Sequence, residues 1–275
     1  MPLVGTAQDK IYRPLPNYVQ GKPNQEEGRK ILNEFRQRGL VADMYVEFEL
    51  RVMPKRGEGR VVPARMWLGR NENGPVWRME LWPEDTAKEH RLIVQNGPHS
   101  ALWSWQRNEA GGLVTTPGLS GLFSRLADTD ITPFDLQMPF VYWNDFVFEG
   151  LAKVLGRPAH VFLLYPPAEV ARLRPELSGV RVYLDTQFNA LVKTEQIGAG
   201  DRVLKTLALR SFKTIDKQTV PKHTDVIDET TRNTTRFAVT RAAVNMDFLP
   251  AIFAPDELSR SVEPPQGAHL RDLGP

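Results

Sequence analysis

The chain has 275 residues, of which 35 are Lys or Arg and 33 are Asp or Glu, so its formal net charge at pH 7 is only +2. This near-balance argues against nucleic-acid binding, because a domain that neutralises many phosphates normally carries a clear basic excess. A hydrophobic content of 41% with 25% charged residues is typical of a globular chain. The lack of cysteine excludes disulfides, cysteine-ligated metals and thiol nucleophiles, and no apolar run reaches the ~20 residues of a transmembrane span.

The N-terminal region is predicted to be an extended arm followed by one helix. Residues 1–23 contain four prolines and no apolar period, which favours an extended, proline-rich arm. Asn24 is a typical N-cap residue, and Glu27 follows it at the spacing of a capping box. Gly39 suits the position just after a helix C-terminus. The sequence therefore predicts a short amphipathic helix over residues 25–38.

From residue 44 onward the apolar period changes to two. Val46, Phe48 and Leu50 alternate with charged residues, which predicts a strand with one buried and one solvated face. The same alternation recurs at 64–68 and at 77–81, where Arg78 and Glu80 occupy the solvated positions. The pattern favours an antiparallel meander over strand–helix–strand units.

A segment at about 113–140 interrupts the strands and is predicted to be a helical insert. Its first apolar residues are spaced for one face of a short helix. Thr132-Pro133 predicts the start of a second helix, with proline at the first helical position. The helix 25–38 and, over residues 119–140, this insert are the predicted lid elements. The predicted lid residues of the insert are Leu119, Leu122, Phe123, Leu126, Phe134 and Leu136.

Strand patterns resume at Phe146 and continue to about residue 244, and the first hairpin of this half is predicted to turn at Gly156-Arg157-Pro158. In all, about eleven strands are expected, which predicts a mainly β chain of the α+β class. A long antiparallel sheet tends to curl, so we expect a curved half-barrel whose concave face is covered by helices. Residues 24–260 are predicted to form this single domain, and residues 261–275 a tail.

Motifs for catalysis, nucleotide binding and metal binding are absent from the sequence. It contains neither a G-x-x-x-x-G-K-[ST] loop nor an H-E-x-x-H helix, and its five histidines are scattered. Glu47 and Glu49 share a strand face, so a glycosidase-like carboxylate pair stays open, although such carboxylates on an exposed strand are usually only solvated. We expect a chain that is not an enzyme, with no catalytic residue, no cofactor and no metal.

Large apolar side chains are the remaining candidates for function. Five of the six tryptophans fall between residues 67 and 105. An alternating face of large side chains, on a sheet too broad to fill its own interior, can form a lipid pocket. The predicted lipid-binding residues are Phe48, Leu50, Met66, Leu68, Trp77, Met79, Trp103 and Trp105. The alternative is that most of these side chains are ordinary core, and a single β-bulge would reverse the face assignment.

An ordered series of short motifs runs through the second half of the chain. Its first member is Val-Arg-Val-Tyr-Leu-Asp at 180–185, and later members lie at 190–193, 203–207, 211–213, 220–221, 245–249 and 253–255. The series resembles that of the LolA/LolB-like family of outer-membrane lipoprotein-sorting proteins. Tyr183 stands where the family pattern has Trp, and Ala190 where it has Pro. The resemblance covers residues 146–260 well and the earlier residues less specifically.

This resemblance implies an open antiparallel half-barrel and a periplasmic carrier whose signal peptide has been removed. It further implies that the ligands are acyl chains of a lipoprotein or phospholipid. The implied partners are an inner-membrane transporter or an outer-membrane acceptor, with no nucleic acid. The alternative on the same fold is a non-catalytic envelope module that binds a protein or senses misassembly. A cavity filled by the chain's own aromatic residues would favour that alternative.

Overall fold

A computed structural model describes residues 23–38, 43–84, 89–97, 100–107, 112–266 and 269–274. Within this part of the chain the fold is mainly antiparallel β, as predicted. The helices are α1 (Gln25–Arg38), α2 (Gly118–Gly121), α3 (Pro133–Gln137) and α4 (Ala168–Leu173), with single 3-10 turns at Leu126–Asp128, Pro139–Tyr142, Ala199–Asp201, Pro250–Phe253 and Pro255–Glu257. The strands are β1 (Met44–Met53), β2 (Arg60–Asn71), β3 (Gly74–Leu81), β4 (His90–Gln95), β5 (Ala101–Gln106), β6 (Leu113–Thr115), β7 (Phe146–Val154), β8 (Arg157–Leu164), β9 (Gly179–Asp185), β10 (Leu191–Ile197), β11 (Val203–Ile215), β12 (Gln218–Asp228), β13 (Thr234–Val244) and β14 (Arg271–Asp272).

The described residues contain fourteen strands, whereas the sequence predicted about eleven. Two of the additional strands are very short: β6 has three residues and β14 has two. So few residues cannot display an alternating pattern, which is why the sequence did not reveal them. β6 lies where the helical insert was expected to begin. β14 lies in the segment 261–275 and pairs with Arg241 and Ala242 of β13.

The chain divides into two compact units, each described separately below. The first contains residues 23–38 and 140–208, with strand order β7-β8-β9-β10 followed by residues 203–208 of β11. The second contains the described residues of 43–139 and 209–274. Its strand order is β12-β13-β1-β2-β3-β4-β5-β6, with residues 209–215 of β11 beside β12.

Helix α1 of the first unit has the predicted bounds and the predicted cap. The side-chain oxygen of Asn24 accepts hydrogen bonds from the backbone N–H groups of Glu26 and Glu27, at 3.0 and 3.3 Å. Gly28 permits close docking on β7, since a Cβ there would lie 2.4 Å from the Cβ of Phe148. The Gln25 amide also bonds to both the N–H and the C=O of Phe148, each at 2.9 Å. Apart from Pro23, the predicted N-terminal arm lies outside the described residues.

The β7–β8 hairpin turns at Leu155-Gly156, not at the predicted Gly156-Arg157-Pro158. Val154 pairs directly with Arg157, so the loop has two residues. Both have positive φ, 48° at Leu155 and 85° at Gly156, as a type I′ turn requires. The sequence prediction was wrong because it treated Pro158 as a turn residue, whereas Pro158 lies in β8 opposite Lys153.

The sheet of the second unit has two differently covered faces. The cross-strand pairs Val46–Met66, Met66–Met79 and Met79–Leu92 place these side chains on one face. The same face carries Phe48, two residues along β1 from Val46. We call it the insert face, because residues 118–137 lie on it. The opposite face, the tail face, carries two apolar clusters, built on Tyr45 and Trp67 and on Val76, Ile93 and Trp105. Residues 246–262 of the C-terminal segment pack on these clusters.

Candidate functional site

Six of the eight predicted lipid-binding residues share the insert face of the second unit. β1 supplies Phe48 and Leu50, and the cross-strand pairs Met66–Met79 and Leu68–Trp77 join β2 to β3. Phe48, Leu50, Met66 and Met79 are 1 to 7% exposed, while Leu68 and Trp77 are partly exposed. Register therefore brings these six side chains to one surface, and their binding of lipid stays a prediction.

Trp103 and Trp105 do not belong to that surface, so the predicted single face is corrected here. The β4–β5 connection pairs Gln95 with Ala101, which places the even-numbered Leu102 and Ser104 on the insert face. The two tryptophans lie on the tail face, where Trp105 packs with Val76, Ile93 and Leu258. The alternation of apolar residues does not show how many residues form the loop between two strands. The two tryptophans were therefore assigned to the wrong face of the sheet.

Residues 118–137, most of the predicted lid, cover the insert face and are held to the sheet at two points. Its helix α3 begins with a complete capping box between Thr132 and Asp135, as the Thr132-Pro133 signal suggested. At one end the Gln137 amide donates to the Gln95 carbonyl at 2.8 Å. Within the segment, the Asp130 N–H donates to the Thr235 hydroxyl at 3.1 Å. The insert is therefore a fastened cover.

The predicted lid residues differ in their burial. Leu122, Leu126 and Phe134 are 8, 1 and 0% exposed, whereas Leu119 is 36% exposed. Phe123 and Leu136 lie between these extremes, and the rings of Phe123 and Phe134 are 4.9 Å apart. The predicted single helix is absent, because α2 ends at Gly121 and Ala127 has a φ of 46°. One helix therefore does not carry Leu119, Leu122, Phe123 and Leu126.

A cavity of about 390 Å³ lies between the insert and strands β4 and β5, entirely within the second unit. Its lining residues are His90, Leu92, Leu102, Ser104, Gln106, Arg107, Thr115, Pro117, Gly121, Ser124, Arg125, Leu126 and Pro133. Of the residues predicted from the sequence, Leu126 alone belongs to this lining. The even-numbered residues of β4 and β5 were missed because their role depends on the register of that hairpin. The volume lies within the ~300–1,000 Å³ typical of ligand sites.

His90 and Ser104 form a hydrogen-bonded pair in the cavity wall. The Nε2 of His90 lies 2.7 Å from the Ser104 hydroxyl oxygen, and His90 is 8% exposed. Burial lowers the pKa of His90 to about 4, since the charged imidazolium cannot be solvated there. The pair therefore presents a neutral, polar patch to a ligand at pH 7.

Acidification should destabilise the protein through His90. Its folded-state pKa lies below the ~6.5 of an unfolded histidine, so the unfolded chain binds the proton first as the pH falls. The stabilisation that comes from keeping His90 neutral is complete above pH ~6.5, the pKa of the unfolded state. It is lost as the pH falls from about 6.5 to about 4, the pKa of the folded state. We expect this group alone to make the protein about 2 kcal/mol less stable at pH 5 than at pH 7.

Urea unfolding of wild type and His90→Gln at both pH values measures this effect. The difference between the two proteins isolates His90 from His160 and His223, whose pKa values are also lowered by burial. An equal loss of stability in both proteins on acidification would contradict the assignment.

Two arginines flank the polar part of the cavity. Arg107 forms an ion pair with Glu89 at 2.5 Å, and its side chain is 47% exposed. Arg125 is 55% exposed and lies 3.9 Å from Asp130 and 3.8 Å from Asp228. These longer contacts leave its guanidinium able to reorient toward a ligand. With Leu92 and Leu102 as an apolar wall, the cavity suits a ligand that has both apolar and polar parts.

No three His, Asp or Glu side chains among the described residues converge on a point that could hold a metal ion. In the same part of the chain, no helix is long and apolar enough to cross a membrane.

No family model matches the chain, and no curated protein matches its sequence. A putative outer membrane lipoprotein-sorting protein domain from Vibrio parahaemolyticus is 17% identical, with a TM-score of 0.74 over 86% of this chain and 100% of that one. A DUF1329 family protein from Desulfovibrio piger is 15% identical, with a TM-score of 0.71 and the same coverage. A LolA superfamily protein from Nitrosomonas europaea is 14% identical, with a TM-score of 0.61 over 84% of this chain and 98% of that one. The resemblance carried by the motifs at 180–255 is thus confirmed at the level of architecture, and the chain has the fold of the LolA-like proteins.

Proposed function

We propose that this protein is a periplasmic lipid-binding carrier that shelters acyl chains of a lipoprotein or phospholipid during outer-membrane lipoprotein sorting. The observation that carries the proposal is the cavity under the insert, in a fold shared with a protein named for lipoprotein sorting. An inner-membrane transporter that loads the carrier, or an outer-membrane acceptor that unloads it, would be its protein partner.

Apolar burial supplies the affinity in this proposal. Moving an acyl chain of about 16 carbons from water into fully apolar surroundings gains about 0.8 kcal/mol per CH₂, on the order of 12 kcal/mol before ordering costs. The polar part of this lining makes that figure an upper bound for the cavity. The cavity is at the small end of ligand sites, so in this proposal a long chain gains room by movement of residues 118–137. The insert therefore opens to load a chain, and release follows when an acceptor competes for it or the insert closes.

The cavity wall supports binding without catalysis. His90 and Ser104 lie at the distance of a base and its nucleophile, but an imidazole with a pKa of about 4 is a poor general base near neutral pH. In our proposal the pair hydrogen-bonds the polar end of the ligand. Hydrolysis of a p-nitrophenyl acyl ester by the wild type, abolished by Ser104→Ala, would overturn the non-catalytic assignment.

One observation favours a second candidate, a non-catalytic envelope module that binds a protein or senses misassembly. Most of the insert face is already filled by the chain's own side chains, with Phe134 fully buried and Phe48 2% exposed. In that case the insert is a permanent part of the core, and recognition lies on the outer surface.

Blocking the cavity should separate these two functions. Ser124 is exposed and lines the cavity, so the indole of Ser124→Trp can enter it with little disturbance of the core. We expect uptake of a fluorescent fatty acid to fall by tenfold or more. Ser120→Trp is the matched control, because Ser120 is also exposed and lies in α2 outside the lining.

Native mass spectrometry of protein produced in the periplasm provides the second readout. We expect phospholipid or acylated peptide to co-purify with the wild type and with Ser120→Trp, and not with Ser124→Trp. A wild-type protein that is empty and takes up no fatty acid would overturn the carrier proposal in favour of the envelope module.

A further inference from the structure

Two turns at one end of the first unit expose large apolar side chains. Leu155 in the β7–β8 turn is 64% exposed, and Phe188 in the β9–β10 turn is 54% exposed. The turns are joined by direct contacts: the Thr186 N–H donates to the Pro158 carbonyl at 3.2 Å, and the Arg157 guanidinium lies 5.2 Å from the Phe188 ring centre. We call Leu155, Phe188, Lys153 and Arg157 the apolar tip.

Leu155 is unfavourable for folding on two counts. Its φ of 48° lies in the left-handed region, where a leucine side chain is strained and where Asn, Asp or Gly is the usual residue of a type I′ turn. Its side chain also remains mostly in water. A residue that strains its turn and leaves an apolar side chain in water does not stabilise the fold. Its presence here points to a role outside folding.

The Phe188 turn is fixed in shape before any partner arrives. The Asp185 carboxylate accepts hydrogen bonds from the N–H groups of Gln187 and Phe188, at 3.0 and 2.9 Å. The Asn189 amide donates to the Ile31 carbonyl of α1 at 3.2 Å. A rigid turn that holds a phenylalanine outward loses little conformational freedom on binding.

The charges around these side chains are mainly positive. Lys153 and Arg157 are both exposed. The nearby carboxylate of Asp185 is 5% exposed and forms a 3.1 Å ion pair with Arg157. Farther away, the exposed charged residues of α1 are Glu26, Glu27, Arg29, Lys30 and Glu34, three carboxylates and two cations. The tip therefore combines two protruding apolar groups with flanking cations.

We propose that the apolar tip docks this protein on an anionic phospholipid bilayer, with Leu155 and Phe188 inserted at the headgroup boundary and Lys153 and Arg157 against lipid phosphates. Two side chains are too few for a specific protein interface, which buries about 800 Å² on each partner. They suffice for shallow insertion, which combines apolar burial with attraction to anionic lipids. The inference does not depend on the cavity of the second unit.

Vesicle co-sedimentation tests the proposal with the full chain and vesicles of equal parts phosphatidylethanolamine and phosphatidylglycerol. We expect the wild type to bind, and Leu155→Asn and Phe188→Ser each to lower the partition coefficient about tenfold. Asparagine tolerates the left-handed turn, so Leu155→Asn should keep or raise the thermal midpoint while binding is lost. Leu249→Ser is the control, since Leu249 is 74% exposed in the second unit.

Further outcomes separate this proposal from the others. Ser124→Trp should bind vesicles like the wild type, even if the carrier proposal fails. Weaker binding to phosphatidylcholine vesicles would support the role of the two cations. Lack of vesicle binding by the wild type would overturn the proposal. Unchanged binding by both tip variants would also overturn it, and so would an equal loss in Leu249→Ser, because vesicle binding would then not depend on the tip.

Discussion

Glu80→Gln should lower the free energy of unfolding by about 3–5 kcal/mol, because it removes one member of a buried ion network. Glu80 and Arg78 are both fully buried on the tail face of the second unit. The Glu80 carboxylate lies 3.1 Å from Arg78 and 2.9 Å from Arg65. Glutamine keeps the shape of the side chain but leaves the Arg78 guanidinium buried without its counter-charge.

The same network fastens the C-terminal segment to the sheet. Arg78 donates hydrogen bonds to the carbonyl oxygens of Ile252 at 3.1 Å and Glu257 at 3.3 Å, and also to that of Arg260. Glu80 in turn accepts from the Val262 N–H at 3.2 Å. Loss of the Glu80 charge should therefore release residues 250–262 and make them more susceptible to proteolysis.

Urea unfolding and limited proteolysis measure the two effects of Glu80→Gln. Glu47→Gln is the matched control: Glu47 also faces an arginine, Arg241, at 3.2 Å, but the two side chains are 26% and 47% exposed. Exposed ion pairs contribute roughly 0–1 kcal/mol, so this control should unfold nearly like the wild type. Equal effects of the two substitutions would show that the buried network does not hold the C-terminal segment.

The Arg78–Glu80 network illustrates what the sequence could not predict. Alternation correctly placed Met79 on one face and the two charged residues on the other, and it predicted that the charged face was solvated. The structure buries that face under residues more than 170 positions later in the chain. Strand periodicity reports the two faces of a strand, but not which distant segment covers them.

Local signals were sufficient where the structure depends on neighbouring residues. Helix α1 was predicted with its bounds because its cap residue, Asn24, is adjacent in sequence to the first turn of the helix that it caps. The start of α3 at Pro133 was likewise visible in Thr132-Pro133. The cavity depends instead on the register that pairs Leu92 with Ser104 and on an insert folded across it, so only Leu126 was anticipated.

Phe134→Ala should destabilise the second unit by about 3–5 kcal/mol, the usual cost of truncating a fully buried phenylalanine. Phe134 is 0% exposed, and its ring lies 4.9 Å from that of Phe123. Its N–H donates to the Leu122 carbonyl at 2.8 Å, which joins the two helices of the insert. Loss of the ring leaves a void between the insert and the sheet, so residues 118–137 should open more often than in the wild type.

Urea unfolding and hydrogen exchange across residues 118–137 measure the effect of Phe134→Ala. Leu119→Ala is the control, because Leu119 lies in the same insert but is 36% exposed and should lose less than ~1 kcal/mol. If the insert is a lid, faster exchange in Phe134→Ala should accompany faster uptake of a fluorescent fatty acid, since opening then limits loading. Faster exchange with unchanged uptake would mean that ligand reaches the cavity without movement of the insert. A loss of stability no larger than in Leu119→Ala would show that Phe134 does not anchor it.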